Sequence, residues 1–382
     1  MDDNTAATEQ GPPSGIAAVG IVLRRVPFTV GFLVVVTLLG IAGGGLWRRL
    51  DTRSWFADIA YGWPALQEGR WWTPLSGWFF GLTPAQYVTM AILFAAAVGW
   101  AEWRLGTVRT AVVCLSGQLI GILVASVTVG LLAHTHLGWA DRLADVRDVG
   151  FTTAAIAALA AVSATLRSPW RLRVRAALVA YVAIAFLFES TFADLMHVIA
   201  VAVWLPLGEK LFSRTEHGFW PRTRREVRML AFTGLLVIAA ASVAVYFFPG
   251  ESLLGATEDE RGSLWSTLIT VAVIAVVADQ LRKGKRWAWW VAIGYGTLHV
   301  VLTLVLLGVA IGAEVETTGA VTVGTALLWA GEVALLYGGR GAFRVPARRK
   351  ITEGTLAGVE PGEAVRTLLT RYGGSTMSWM TT

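Results

Sequence analysis

The sequence predicts an all-α polytopic membrane protein of ten spans with a short cytosolic tail, and three observations carry that prediction. The 382 residues are 55% hydrophobic and 15% charged, with a mean hydropathy of +0.59. One soluble core of this length cannot bury so much apolar surface. That surface is concentrated in runs of about 17–25 residues, the length that crosses roughly 30 Å of hydrocarbon at 1.5 Å per residue. The basic residues lie beside those runs rather than on one soluble face. The net charge of +6 therefore reads as a topology signal, with no nucleic acid as partner.

The stretch 1–20 is acidic and contains Gly and Pro, as expected of a disordered cytosolic N-terminus (1–25). Arg24 and Arg25 precede the first apolar run, which is too long for a signal-peptide core and reads as an uncleaved span. Spans are predicted at 26–47, 84–103, 110–132, 150–166, 176–192, 194–212, 229–249, 264–281, 288–312 and 318–338. A basic linker at 213–228 separates a six-helix membrane domain (26–212) from a four-helix one (229–338), and 339–382 forms the tail.

The loops test the span count. Arg24/Arg25, Arg104/Arg109, Arg167/Arg171/Arg173/Arg175, the 213–228 linker, Arg282/Lys283/Lys285/Arg286 and Arg340/Arg344/Arg348/Arg349/Lys350 fall on one side. Acidic or mixed loops around Asp141–Asp148, Glu189/Asp194, Glu251–Arg261 and Glu314/Glu316 fall on the other. The positive-inside rule then places both termini in the cytoplasm of a bacterial inner-membrane protein. The long segment 48–83 is rich in aromatics, including Trp55, Tyr61, Trp63, Trp71, Trp72, Trp78 and Phe79. Such rings favour the headgroup level, so this loop is expected in the outer interface. The single cysteine, Cys114, sits in an apolar run, which excludes an intrachain disulfide.

Several motifs occur in order along the first half: Gly69-Arg70-Trp71-Trp72-Thr73 with Phe79-Phe80, then Gly99-x-x-Glu102-x-x-x-Gly106 at the end of span two. Ser116-Gly117-x-x-x-Gly121 follows in span three, a small-residue face suited to close helix approach. His197 followed by Ala200 lies in span six. In this order the region resembles the rhomboid family, whose core has six helices and an interfacial loop between the first two. The resemblance implies a nucleophile at the start of span four, where a rhomboid has Gly-x-Ser-Gly and this chain has Gly150-Phe151-Thr152-Thr153. Thr152 takes the serine position and Thr153 that of the second glycine, where a Cβ restricts the backbone. Counting back from Glu102, the family's oxyanion-binding His and Asn fall on Gln86 and Met90, and a further His on Gly81. A thioether donates no hydrogen bond, and loss of one oxyanion donor typically costs about 3–4 kcal/mol of transition-state stabilisation. The expectation is a degenerate protease site at Thr152, His197, Gln86 and Met90, with no catalytic residue retained.

In the second half His299, Glu332 and Asp279 are ionisable groups within or at the edge of predicted spans, each a candidate for a polar path or headgroup contact. His299 and Glu332 fall at comparable depth on antiparallel spans and can pair, but the favoured reading is structural, an interhelical hydrogen bond or a neutral carboxylic acid. Glu102 reads as structural, near Arg104 and Arg109. His134 and His136 have metal-like spacing but no evident third ligand, so no metal is expected. No phosphate loop or dinucleotide fingerprint is present, and no cofactor is expected.

The tail Leu368–Thr382 reads Leu-Leu-x-x-Tyr-Gly-Gly-Ser-x-x-Ser-Trp-Met-Thr-Thr. With the spans before it, it resembles actinobacterial aminoacyl-phospholipid synthases of the multiple-peptide-resistance-factor group. That resemblance implies a non-proteolytic membrane domain that binds, positions or flips a lysyl-phosphatidylglycerol-type lipid for an attached cytosolic transferase domain. On that reading this chain, ending where such a domain begins, is not an enzyme by itself, and its partner is membrane phospholipid. Two alternatives stand beside it: an intramembrane protease using Thr152 and His197, and a pseudoprotease that binds transmembrane client proteins.

Overall fold

The computed structural model describes residues 24–133, 138–213, 223–247, 251–252, 255–256, 263–312 and 320–343. All belong to one unit, Met1–Arg344; Val345–Thr382 forms a second. The expectations for the extreme N-terminus, for His134 and His136, and for the tail lie outside the described residues.

Every predicted span contains helix. The principal helices are α1 (Pro27–Ala42), α5 (Pro84–Leu105), α6 (Thr107–Leu132), α8 (Thr152–Val162), α9 (Trp170–Phe188) and α10 (Phe192–Phe212), followed by α11 (Arg224–Phe247), α12 (Leu264–Arg282), α13 (Arg286–Gly312) and α14 (Ala320–Gly338). Three short helices, α2 (Phe56–Ile59), α3 (Trp63–Gln67) and α4 (Thr73–Ser76), fold the segment before α5, and α7 (Gly138–Ala144) precedes α8. Six of these helices are long and apolar enough to cross a membrane: α5, α6, α10, α11, α12 and α13. The chain is a multi-pass membrane protein. The apolar helices of α1, α8 and α14 are shorter, and Arg171, Arg173 and Arg175 lie in the first turns of α9.

Boundaries move where the chain supplies stop signals. The first run was expected to reach residue 47, but its helix ends at Ala42 because Gly43, Gly44 and Gly45 turn the backbone. Thr83 and Gln86 form a reciprocal capping box that starts α5, which satisfies two donors that a helix start leaves free. Gly106, at φ 86°, makes the sharp junction between α5 and α6, a conformation open mainly to glycine.

The centre of the first half is α8, whose residues 153–158 are all buried. It packs against α5, α6 and α10. Alanines at 154, 155, 157, 158, 160 and 161 keep it thin. The facing stripe on α6 is thin as well. A Cβ on Gly117 would come within 2.3 Å of the Ala157 Cβ, and one on Gly121 within 2.9 Å of Thr153 Cγ2. The small-residue face expected from the sequence is therefore the α6–α8 contact. Close packing of this kind holds helices together in lipid, where exclusion of water cannot.

Glu102, read from the sequence as structural, serves the start of a different helix. It is buried, and its carboxylate accepts hydrogen bonds from Phe28 N–H (2.9 Å), Thr29 N–H (2.9 Å) and the Thr29 hydroxyl (2.8 Å). It thus caps α1 from another helix, supplying acceptors to the unsatisfied N–H groups at that helix start.

The second half has its own core, in which Leu235 and Ile238 of α11, Val277 and Leu281 of α12, and Trp329 and Leu336 of α14 meet. It joins the first half through α9, which packs on α11.

Candidate functional site

The start of α8 is built by four separate segments. The segment before α5 folds back so that Tyr61 and Asp148 exchange backbone hydrogen bonds, at 2.9 and 2.8 Å. Arg70 binds Asp58 at 2.8 Å, and Glu68 pairs with Arg147, fastening this segment to the loop that leads into α8. Gly150 N–H then donates to Gly77 O at 3.1 Å. Gly150 has φ 154°, and a Cβ there would touch the Met90 methyl at 3.0 Å, so both backbone and space require glycine. The Gly150 carbonyl accepts from the Tyr61 hydroxyl (3.2 Å) and from Gln118 Nε2 (2.9 Å). Gln118 Oε1 in turn accepts the Ala154 N–H at 3.1 Å. This buried amide on α6 thereby holds both the loop and the first turn of α8.

The result is a fixed position for Thr152, the first residue of α8. Its Oγ1 lies 3.0 Å from Nε2 of His197, which projects from the second turn of α10. His197 is buried, 4% exposed, and the ring of Tyr181 from α9 lies 6.3 Å away, centroid to centroid. Ala200, one turn on, is buried in the cluster that joins α10 to Ile156, Ala157 and Ala160 of α8. A hydroxyl and an imidazole at this separation can exchange a proton.

Around the pair, charge is unevenly distributed. Packing around the Asp148 carboxyl pushes it up to about 6, offset in part by the Val149 N–H and by the nearby His197. Burial also holds the Tyr61 phenol well above its ordinary value. Near Thr152 the helix start supplies N–H groups. That of Ala154 is used by Gln118, while those of Thr152 and Thr153 meet no acceptor among the described residues. They add to the positive end of the α8 dipole.

The three positions named for oxyanion donors have other neighbours. Met90 lies against Gly150 and offers no donor. Gln86 is engaged in capping α5, its Oε1 accepting from Leu82 and Thr83 N–H at 3.0 and 3.2 Å. Gly81 packs against the Tyr87 ring. Thr152 and His197, the other two positions of the expected degenerate site, stand at hydrogen-bonding distance. Gln118 had no assigned role in the sequence, and Tyr61 and Asp148 were read only as an interfacial aromatic and an outer-loop acid. The one available signal was Gln118 itself, an amide inside an otherwise apolar helix.

Residues 72–214 match the family model described as rhomboid-like protein. That span runs from Trp72 through α5, α6, α8 and α9 to the end of α10, and it holds Thr152, Gln118 and His197. The fold of this region is rhomboid-like. No curated protein and no solved structure matches the chain.

The candidates outside the rhomboid-like region do not come together. His299 Nε2 bonds Thr325 Oγ1 at 3.2 Å, and its ring stacks on Tyr295. Glu332 lies against Gly234 of α11 with Oε1 unbonded. His299 thus makes an interhelical hydrogen bond to Thr325 of α14, and not to Glu332 of the same helix. Asp279 forms ion pairs with Arg282 (3.1 Å) and Lys283 (2.5 Å) at the end of α12. No group of three His, Cys, Asp or Glu among the described residues could hold a metal ion.

Proposed function

We propose that this protein is a rhomboid-like intramembrane hydrolase in which Thr152 is the nucleophile and His197 its general base. The observation that carries this reading is the 3.0 Å separation of Thr152 Oγ1 and His197 Nε2 at the start of a buried helix. In the reaction Thr152 Oγ1 attacks the carbonyl carbon of a peptide bond while its proton passes to His197 Nε2. The N–H groups of Thr152 and Thr153 face the developing oxyanion. His197 then protonates the departing amine, leaving an acyl-threonine ester that water hydrolyses with His197 again as base. The ten-span topology, with a six-helix core and both termini in the cytoplasm, belongs to the same proposal, as does a transmembrane segment as substrate. Lipid handling of the lysyl-phosphatidylglycerol type finds less support, because His299, Glu332 and Asp279 form no common path.

The test is cleavage of transmembrane reporter proteins by the full chain in liposomes. Wild type should cleave, Thr152→Ala and His197→Gln should reduce the rate at least 10³-fold, and Thr152→Ser should retain it. Equal cleavage by Thr152→Ala overturns the assignment. Absence of cleavage by both wild type and Thr152→Ser also overturns it, and recovery of a crosslinked client helix in that case supports the pseudoprotease reading, in which Met90 marks a lost donor.

A further inference from the structure

The imidazole that faces Thr152 has a second nitrogen, and its surroundings are specific. His197 Nδ1 is buried and makes no hydrogen bond. Asp194 Oδ1 lies 3.8 Å from it, with the two side chains 7% and 5% exposed. Asp194 precedes His197 by three residues in the first turn of α10, so the two side chains share one helix face. Its orientation is set by the start of that helix. Asp194 Oδ2 accepts from Thr191 N–H at 2.9 Å and from the Thr191 hydroxyl at 2.6 Å, and the Asp194 N–H donates to Thr191 Oγ1 at 3.2 Å. This reciprocal cap holds one carboxylate oxygen and turns the other toward the ring.

We infer that Asp194 is the positioning residue of the Thr152–His197 pair, keeping the ring proton on Nδ1 so that the Nε2 lone pair faces the Thr152 hydroxyl. The inference rests on the reading of that pair as a working dyad and adds a third member to it. At 3.8 Å the contact is longer than a hydrogen bond, and its role is electrostatic: a carboxylate selects the Nδ1–H tautomer and steadies the imidazolium that forms when Thr152 gives up its proton. Other acidic groups lie near. Asp148 faces the ring from the loop before α8, but its carboxylate accepts the Val149 N–H. Glu189, at the end of α9, and Tyr181 face Asp194. Of these carboxylates Asp194 alone has an ion-pair distance to His197 among the described residues.

Asparagine distinguishes positioning from capping. In Asp194→Asn the amide oxygen can still accept from Thr191, which preserves the helix start. The amide NH₂ then faces Nδ1 and favours the opposite tautomer, in which Nε2–H donates to Thr152 and cannot take its proton. The experiment uses the full chain labelled with [¹⁵N]histidine in detergent micelles at alkaline pH, with the His197 signals assigned by their loss in His197→Gln. Wild type should show a protonated Nδ1 and a bare Nε2, and Asp194→Asn should reverse them. Reporter cleavage should fall on the order of 10³–10⁴-fold in kcat with KM little changed, and Asp194→Glu should restore part of it. An unchanged tautomer in Asp194→Asn overturns the inference. So does undiminished cleavage by Asp194→Asn when Thr152→Ala abolishes it. If wild type cleaves no reporter, the dyad reading fails, and the ring-nitrogen spectra still decide whether Asp194 sets the tautomer.

Discussion

At the scale of single residues, the site depends on buried polar groups placed where burial is costly without partners. Gln118 shows how this is resolved: one amide supplies both a donor to Gly150 O and an acceptor to Ala154 N–H. Asp148 is resolved less completely. Its carboxyl titrates near 6 in the folded chain, against an ordinary value of 3.8, so folding favours the protonated form. Stability from this group is greatest below its ordinary value, declines as pH rises, and is lost above about 6. Asp148→Asn, whose amide oxygen can still accept from Val149 N–H, should therefore unfold at a higher temperature than wild type at pH near 8. Thermal unfolding in detergent should show that advantage shrinking at acid pH, and an advantage independent of pH would contradict this account.

At the scale of elements, the α6–α8 contact limits what the molecule tolerates. Gly117 faces Ala157 too closely for even a methyl group. Gly117→Leu should force the helices apart, at a cost of about 1–3 kcal/mol for overpacking. Because Gln118 is the next residue on α6, the same change should loosen its grip on Gly150 and Ala154. Thermal unfolding measures the first effect. Thr152-dependent cleavage measures the second, and it should fall further in Gly117→Leu than in a substitution of equal thermal cost within α12. Equal losses would mean that the α6–α8 contact does not position the site. Glu102 is the complementary case, a side chain on α5 that completes the start of α1 and so joins two helices through their backbone needs.

At the scale of the whole molecule, two helical assemblies meet along α9 and α11. The proposed topology puts the loop around Lys285 in the cytoplasm and the segment around Glu68 on the opposite face. Cys114 is the only cysteine and is buried, which leaves a low labelling background. A membrane-impermeant maleimide added to intact spheroplasts should label Glu68→Cys and spare Lys285→Cys until the membrane is opened. Labelling of both from outside, or of Lys285→Cys alone, would refute the assigned orientation.

Much of the architecture could be read from the chain itself, because a helix in lipid satisfies its backbone within one continuous apolar run. Runs of span length gave ten helical segments, and Gly117 and Gly121 gave a contact face, since both signals are local. The ends of α1 and α9 were less legible, because the glycine turn after Ala42 and the arginines of α9 alter helix limits without interrupting the hydropathy pattern. The substitutions at Gln86 and Met90 were visible residue by residue and pointed to a dead site. Only the tertiary structure decided that Thr152 and His197, 45 positions apart, stand at hydrogen-bonding distance. It likewise decided that Gln118, Tyr61 and Asp194 surround them while His299 turns to Thr325. The reason is physical. Insertion into lipid depends on the summed apolarity of a segment, whereas a proton transfer depends on fractions of an ångström between side chains whose placement is set by the packing of every helix around them.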